Sequence, residues 1–316
     1  KKVLQNIHRD VYSAYWRARA NSKVQLETKR LVTEASAHIE KLNQAAQEKL
    51  ISKSEANLKK AAYLDTIRSL NDLQNESALA LIELKSLLNL PQSTQVFLTS
   101  KLFDPSALSK DIASMDVETL EMSSLLKRPE MRESFINKNI SIRETKQEII
   151  RTIPGAELFF GLNRDTNKFL ANDSWRSYSI SLVQSITSLL TLPDRYLISR
   201  KNEKLAEKRR VTLAAAIITQ VHISRHGLAH AQSLYNAAVQ EQEDAQYQAY
   251  AMQKRLHAGH VPKSEVLLAK LQAQEKTLRA YQAHADVRDS YAVMINTLGF
   301  EVGDKVTRST LKAVTS

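Results

Sequence analysis

The chain of 316 residues has no cysteine, six glycines and six prolines. Without cysteine there are no disulfides and no thiolate metal sites, a condition compatible with any compartment. The shortage of glycine and proline excludes a β-rich architecture. Strands recurring every ~8–12 residues need turns, and turns need those residues. No run approaches the ~20 apolar residues of a transmembrane helix, and no signal peptide opens the chain. No P-loop, dinucleotide fingerprint or HExxH occurs, and no nucleophile is paired with a base, so neither an enzyme nor a cofactor is expected.

What remains reads as a mainly α chain. Basic residues exceed acidic ones by 11, which admits nucleic acid or anionic lipid as a partner. The densest basic run, RKNEKLAEKRR (200–210), is interleaved with Glu203 and Glu207 at helix-face spacing and carries no aromatics. It reads as a solvated helix face, and nucleic acid is not an expected partner. From Lys1 to Leu90 there is neither glycine nor proline, and apolar residues recur at helical spacing, as in Val3, Ile7, Val11 and Tyr15. Residues 91–128 are mixed, with a short helix expected near 116–127. Pro129 opens a helix over 129–153. Helix resumes after Pro193 as a long hairpin over 194–298 with its tip at 257–264, and 302–316 reads as a flexible tail.

One segment breaks the helical period. GAELFFGLN (155–163) and SWRSYSISLVQS (174–185) alternate apolar and polar residues. Leu158, Phe160 and Leu162 share one face of the first strand. Tyr178, Ile180 and Leu182 share one face of the second, which Trp175 helps to open. The length of each strand suits a tilted crossing of a membrane in a barrel, and the alternation alone fits an ordinary hairpin of a soluble protein equally well. An isolated hairpin is marginal, so its edges require partners outside this segment.

The sequence also repeats. ISKSEANLKK (51–60) aligns without gaps on VPKSEVLLAK (261–270), and the same 210-residue offset places Val11 on Val221 and LLNLP (87–91) on TLGFE (297–301). This predicts a duplicated helix–turn–helix unit, with a reversal near 50–54 that no glycine or proline marks. Ser54 and Ser264 are expected to cap the outgoing helices, and each helix pair to pack along a coiled-coil-like seam. Only the second copy is preceded by a strand hairpin. The chain also opens in mid-pattern, without cap or lead-in, so a further hairpin is expected upstream of Lys1.

Together these residues resemble the TolC-like outer-membrane efflux family over about 3–301. The resemblance rests on VYSAYWRARANSKVQL, on Arg128-Pro129-Glu130 opening the segment RPEMRESFINKNISIRETKQEII, on GAELFFGLN with SWRSYSISLVQS, and on AGHVPKSEVLLAK. Lys49 stands where the second tip has Gly259, ITSLLTLPDRY stands where many members have a Phe-Asp-Gly-Gly-like run, and Leu268 stands where some members carry a second acid. The resemblance implies an N-terminally truncated protomer of a homotrimer in the Gram-negative outer membrane. One β-hairpin would join a membrane barrel in contact with lipid, and two helical hairpins would form a periplasmic tunnel. It implies passive export of drugs or secreted substrates, in efflux or type I secretion, from an inner-membrane pump through a periplasmic adaptor. The adaptor would dock on Ile51, Ser52, Lys53 and Ser54 and on Gly259, Val261, Pro262, Lys263 and Ser264. Glu265, with Glu55, would form carboxylate rings at the entrance, although an acid in a first helical turn is also favoured by the helix dipole alone. The rival reading is a periplasmic coiled-coil structural or adaptor protein without a pore. His222, His226 and His230, spaced four apart, share a helix face on which two imidazoles could hold a metal. Their repeat counterparts Tyr12, Trp16 and Ala20 favour a plain polar stripe.

Overall fold

The computed structural model describes residues 2–20, 24–98, 112, 114–150, 155–166, 169, 171–172, 174–183 and 186–304. Seven helices and two strands follow among them: α1 (Lys2–Arg19), α2 (Gln25–Gln47), α3 (Lys53–Leu87), α4 (Val117–Lys127), α5 (Pro129–Ile150), β1 (Gly155–Arg164), β2 (Ser174–Val183), α6 (Ile186–His257) and α7 (Lys263–Thr297). No helix among the described residues is long and apolar enough to cross a membrane. Contacts divide the chain into two compact units, one of residues 1–129 with 217–316 and one of residues 130–216. The division cuts through α6 rather than following the repeat boundaries.

In the first unit, burial recurs every seven residues. On α3 the buried positions include Ala56, Tyr63, Leu70, Ser77 and Leu84, and on α7 they include Val266, Ala273, Ala280, Val287 and Met294. These are the same heptad positions 210 residues apart, and a seven-residue period keeps one stripe of a helix turned toward its neighbour. α7 adds a second stripe, Leu271, Leu278, Ala285 and Ala292; α1, α2 and α3 pack on it, and so do Val221 and Leu228 of α6. Two cores result. Leu31, Ala35, Tyr63, Leu70, Leu271 and Leu278 join α2, α3 and α7. Ile112, Leu120, Val221, Leu228, Val287, Met294 and Leu298 join α4, α6 and α7.

The duplication holds to the residue at helix ends. α3 and α7 begin and end 210 positions apart, and so do the ends of α2 and α6. Each of the four stops with the same pair of backbone bonds. Lys49 N–H donates to the Ala46 carbonyl and Leu50 N–H to that of Ala45. The corresponding pairs are Asn89 with Ser86 and Leu90 with Lys85, then Gly259 with Leu256 and His260 with Arg255, then Gly299 with Asn296 and Phe300 with Ile295. This closure needs a left-handed residue after the last turn. Lys49, Asn89, Gly259 and Gly299 all have positive φ, at 59°, 51°, 76° and 83°.

Two local expectations fail. Helix starts at Ile186 and passes through Pro193, instead of resuming after it. The proline removes one amide donor but leaves the neighbouring turns bonded. The first long helix is broken between Arg19 and Gln25, where the sequence reads Ala-Asn-Ser-Lys-Val. Its repeat counterpart, His-Ala-Gln-Ser-Leu (230–234), runs unbroken within α6. The strand pair ends at Val183, so residues 184–185 of the expected second strand, like 305–316 of the expected tail, lie outside the described residues.

In the second unit, β1 and β2 form an antiparallel pair, with Leu158 opposite Ile180, Phe160 opposite Tyr178, and Gly161 opposite Ser177. α5 meets the N-terminal part of α6 through an ion pair of Lys138 with Glu207, 2.5 Å long. Glu207 is also bonded by Arg210, and these two cations hold its carboxyl down at about 2.

Candidate functional site

The two helix reversals lie side by side. α3 and α7 run parallel: Ser69 Oγ donates to Glu275 at 2.7 Å, and Gln282 donates to Glu76. Both pairs are 206 positions apart, not 210. The copies are therefore shifted by four residues, about one turn or 6 Å, and the first reversal extends beyond the second by that step.

At the first reversal, Ser52 sits in extended backbone as the N-cap of α3, and its Oγ accepts the Glu55 amide at 3.1 Å. Ser54 was expected in that role. It lies instead within the first turn, because the helix already starts at Lys53. The same holds for Ser264. The cap position of α7 is Pro262, which offers no side-chain acceptor. Ser52, Lys53, Ser54, Gly259, Pro262 and Lys263 are exposed, while Ile51, Val261 and Ser264 are half-buried. Glu55 is exposed and accepts from Lys59 at 2.8 Å. Glu265 is exposed. Given the one-turn shift, the two acids lie at different heights along the seam.

One contact at the tips was not foreseen. Tyr63 Oη donates to the backbone carbonyl of Ser264 at 2.5 Å, tying α3 to the first turn of α7. Side chains on a helix lean toward its N-terminus, which carries the Tyr63 hydroxyl toward the tip. Burial, then the charge of Glu265, pushes the Tyr63 hydroxyl up to about 12. His38 packs on its ring at 5.2 Å between centroids, and burial followed by Lys41 and Lys59 lowers the imidazole below its ordinary range. Tyr63 occupies a core heptad position, so its sequence signal is that of a packing residue. The only hint is that its counterpart is Ala273.

On the strand hairpin, the register separates two faces. Leu158, Phe160, Leu162, Tyr178 and Ile180 lie on one and are exposed, Leu158 by 83% and Ile180 by 73%. Phe160 and Tyr178 touch, with ring centroids 5.1 Å apart. Leu182 pairs with Ala156. Trp175 does not join this face. It pairs with Asn163, on the side that carries Ser177, Ser179 and Ser181.

Along α6, His222, His226 and His230 are exposed. His222 Nε2 lies 2.8 Å from a Glu121 carboxylate oxygen of α4. Among the described residues no group of three or more acids and histidines is placed to hold a metal ion.

No protein-family model and no curated protein matches the chain. Solved structures do match. The chain superposes on the CmeC outer-membrane channel of Campylobacter jejuni with a TM-score of 0.67 at 12% identity, over 99% of this chain and 66% of that one. It superposes on the open state of the MtrE outer-membrane channel of Neisseria gonorrhoeae with a TM-score of 0.66 at 13% identity, over 94% and 66%. The outer-membrane protein VceC of Vibrio cholerae gives 0.60 at 11%, over 95% and 69%. The chain spans about two thirds of the length of these structures. Two helix pairs in 210-residue register, with one strand hairpin between them, give this chain the fold of the TolC-like outer-membrane channels.

Proposed function

We propose that the protein is one protomer of a trimeric outer-membrane channel that passively passes solutes or secreted substrates outward. An inner-membrane pump and a periplasmic adaptor would deliver them, in efflux or type I secretion. The observation that carries this reading is the hairpin. Its strands of ten residues present one face on which Leu158, Phe160, Leu162, Tyr178 and Ile180 are exposed, with Arg164 and Arg176 toward the loop end, and one serine-rich face. Lipid rewards the first and a wet lumen the second, and a strand pair in lipid must have its edges closed by further strands. A coiled-coil spacer without a pore has no use for such a face. The matched folds of the CmeC and MtrE outer-membrane channels support the same reading.

Under it, Leu158, Phe160, Leu162, Tyr178, Ile180 and Leu182 face lipid, and α2, α3, α6 and α7 build the tunnel wall in the periplasm. Ile51–Ser54 and Gly259–Ser264 receive the adaptor, and Glu265, with Glu55 one turn away, narrows the entrance. The full-length protein reconstituted in planar bilayers should conduct ions, and a silent bilayer sinks the channel reading. Glu265→Ala should raise conductance; an unchanged value removes Glu265 from the entrance. Charge reversal at Lys53 and Lys263 should weaken crosslinking to the adaptor, and undiminished crosslinking moves the docking site elsewhere.

A further inference from the structure

The serine-rich face of the hairpin is not uniformly polar. By register it holds Glu157 opposite Ser181, Phe159 opposite Ser179, Gly161 opposite Ser177 and Asn163 opposite Trp175. Asn163 Nδ2 donates to Ser177 Oγ at 3.0 Å. Phe159 is 61% exposed among these hydroxyls and amides. Its ring lies along the strand over Gly161. A β-carbon added there would stand 2.9 Å from Phe159 Cε1, 3.2 Å from Cζ and 2.7 Å from Ser177 Oγ.

Gly161 is not needed for its backbone, because its φ is not positive. Glycine inside a strand weakens the strand and marks a close approach, and here the approaching group is the Phe159 ring. The space at Gly161 lets the Phe159 ring extend along a hydroxyl-bearing wall while staying 61% exposed. Charge on this wall has one sign. Glu157, two residues before Phe159 and so ~7 Å away along the strand, is the one ionisable side chain on it. Arg164 and Arg176 fall on the opposite, apolar face.

We propose that Glu157 and Phe159 form a contact site for organic cations. The carboxylate supplies charge, and the ring, held open by Gly161, supplies a π face. This rests on the channel reading, in which the serine-rich face lines the conduit. Solutes carrying a positive charge beside aromatic or apolar groups would then dwell at this wall during passage, whereas anions would not.

No native cysteine within these 316 residues competes for label, and the unsubstituted full-length protein gives the background. In the full-length protein in intact cells, Phe159→Cys should react with a water-soluble, membrane-impermeant maleimide, and Phe160→Cys should not. The reverse pattern overturns the proposal. The second test is block of bilayer conductance by tetraphenylphosphonium, scaled to each variant's own open conductance. Phe159→Leu, which keeps an apolar side chain but loses the π face, and Glu157→Gln should each weaken block about two- to fivefold, the weight of one exposed cation–π or ion contact. Conductance with block unchanged in both variants overturns the cation site and leaves the channel standing. Absence of conductance overturns the channel reading itself.

Discussion

The two copies of the helical hairpin carry the same ends and different means of making them. The second copy turns with Gly259 and enters α7 through Pro262. The first turns with Lys49 in the left-handed region and enters α3 under a Ser52 cap. A lysine at positive φ costs free energy that glycine avoids, whereas a serine cap contributes what Pro262 cannot. One copy is favoured at its stop and the other at its start. A duplicated fold thus keeps its geometry while its sequence drifts, provided each reversal retains at least one favourable device.

The largest test of this comparison lies in the seam. Leu271 is fully buried among α2, α3 and α7, while its counterpart Ala61 is exposed. Leu271→Ala should lower unfolding free energy by about 2–5 kcal/mol, and Ala61→Gly by about 1 kcal/mol. Chemical denaturation monitored by helical circular dichroism measures both, and equal losses would remove the distinction between the copies.

Next come the far ends. A β-carbon on Gly299 would meet the backbone of Lys127 and Arg128 at 3.0 Å, and its φ is positive. Gly299→Ala should cost about 1–3 kcal/mol. Asn89→Gly at the matching site should change stability by no more than a few tenths of a kcal/mol, since asparagine tolerates that conformation. A smaller step separates the tips. Lys49→Gly should stabilise by about 1 kcal/mol and Ser52→Ala should destabilise by about the same. Opposite signs from two sites three residues apart are the readout.

The smallest effect is on pH dependence. Glu76 and Asp286 are repeat counterparts on α3 and α7, near enough for their charges to act on one another. Partial burial first, then Glu76 and Asp289, hold the Asp286 carboxyl up at about 6, while Arg17 opposes them. Asp289 in turn accepts from Ser13, Glu76 from Gln282, and Arg17 pairs with Glu83. The folded chain therefore binds this proton more tightly than the unfolded chain. The stability it contributes is present below pH ~4 and is lost as pH rises through ~6. Asp286→Asn should raise the melting temperature at pH 7 and leave it little changed at pH 4; an equal shift at both would place the effect in packing rather than charge.

Much of the fold was legible because it is one-dimensional. Scarce turn residues and apolar residues at helical spacing specify long paired helices, and the 210-residue register located a reversal near residues 50–54 that composition hides. Alternation alone separated the faces of the hairpin at Leu158, Phe160 and Ile180. What stayed hidden depends on pairings between helices or on small local differences. Whether Ser52 or Ser54 caps α3 turns on a one-residue choice of helix start, within the normal uncertainty of boundaries. The Tyr63–Ser264 bond and the 206-residue seam exist only once α3 and α7 are laid together, and Phe159 over Gly161 required side-chain direction as well as alternation.

The one-turn shift between α3 and α7 makes the molecule's end a stair instead of a platform. A full turn is close to the smallest slip that returns a helix face to its original bearing, so the stripes still mesh while the reversals stand on two treads about 6 Å apart. A flat-faced partner would rest on the Lys49–Ser52 tread and bridge empty space over Gly259–Pro262. A partner that grips both must carry a riser of its own. For that reason sequence identity between the tips, Lys-Ser-Glu in each, does not make them interchangeable footholds.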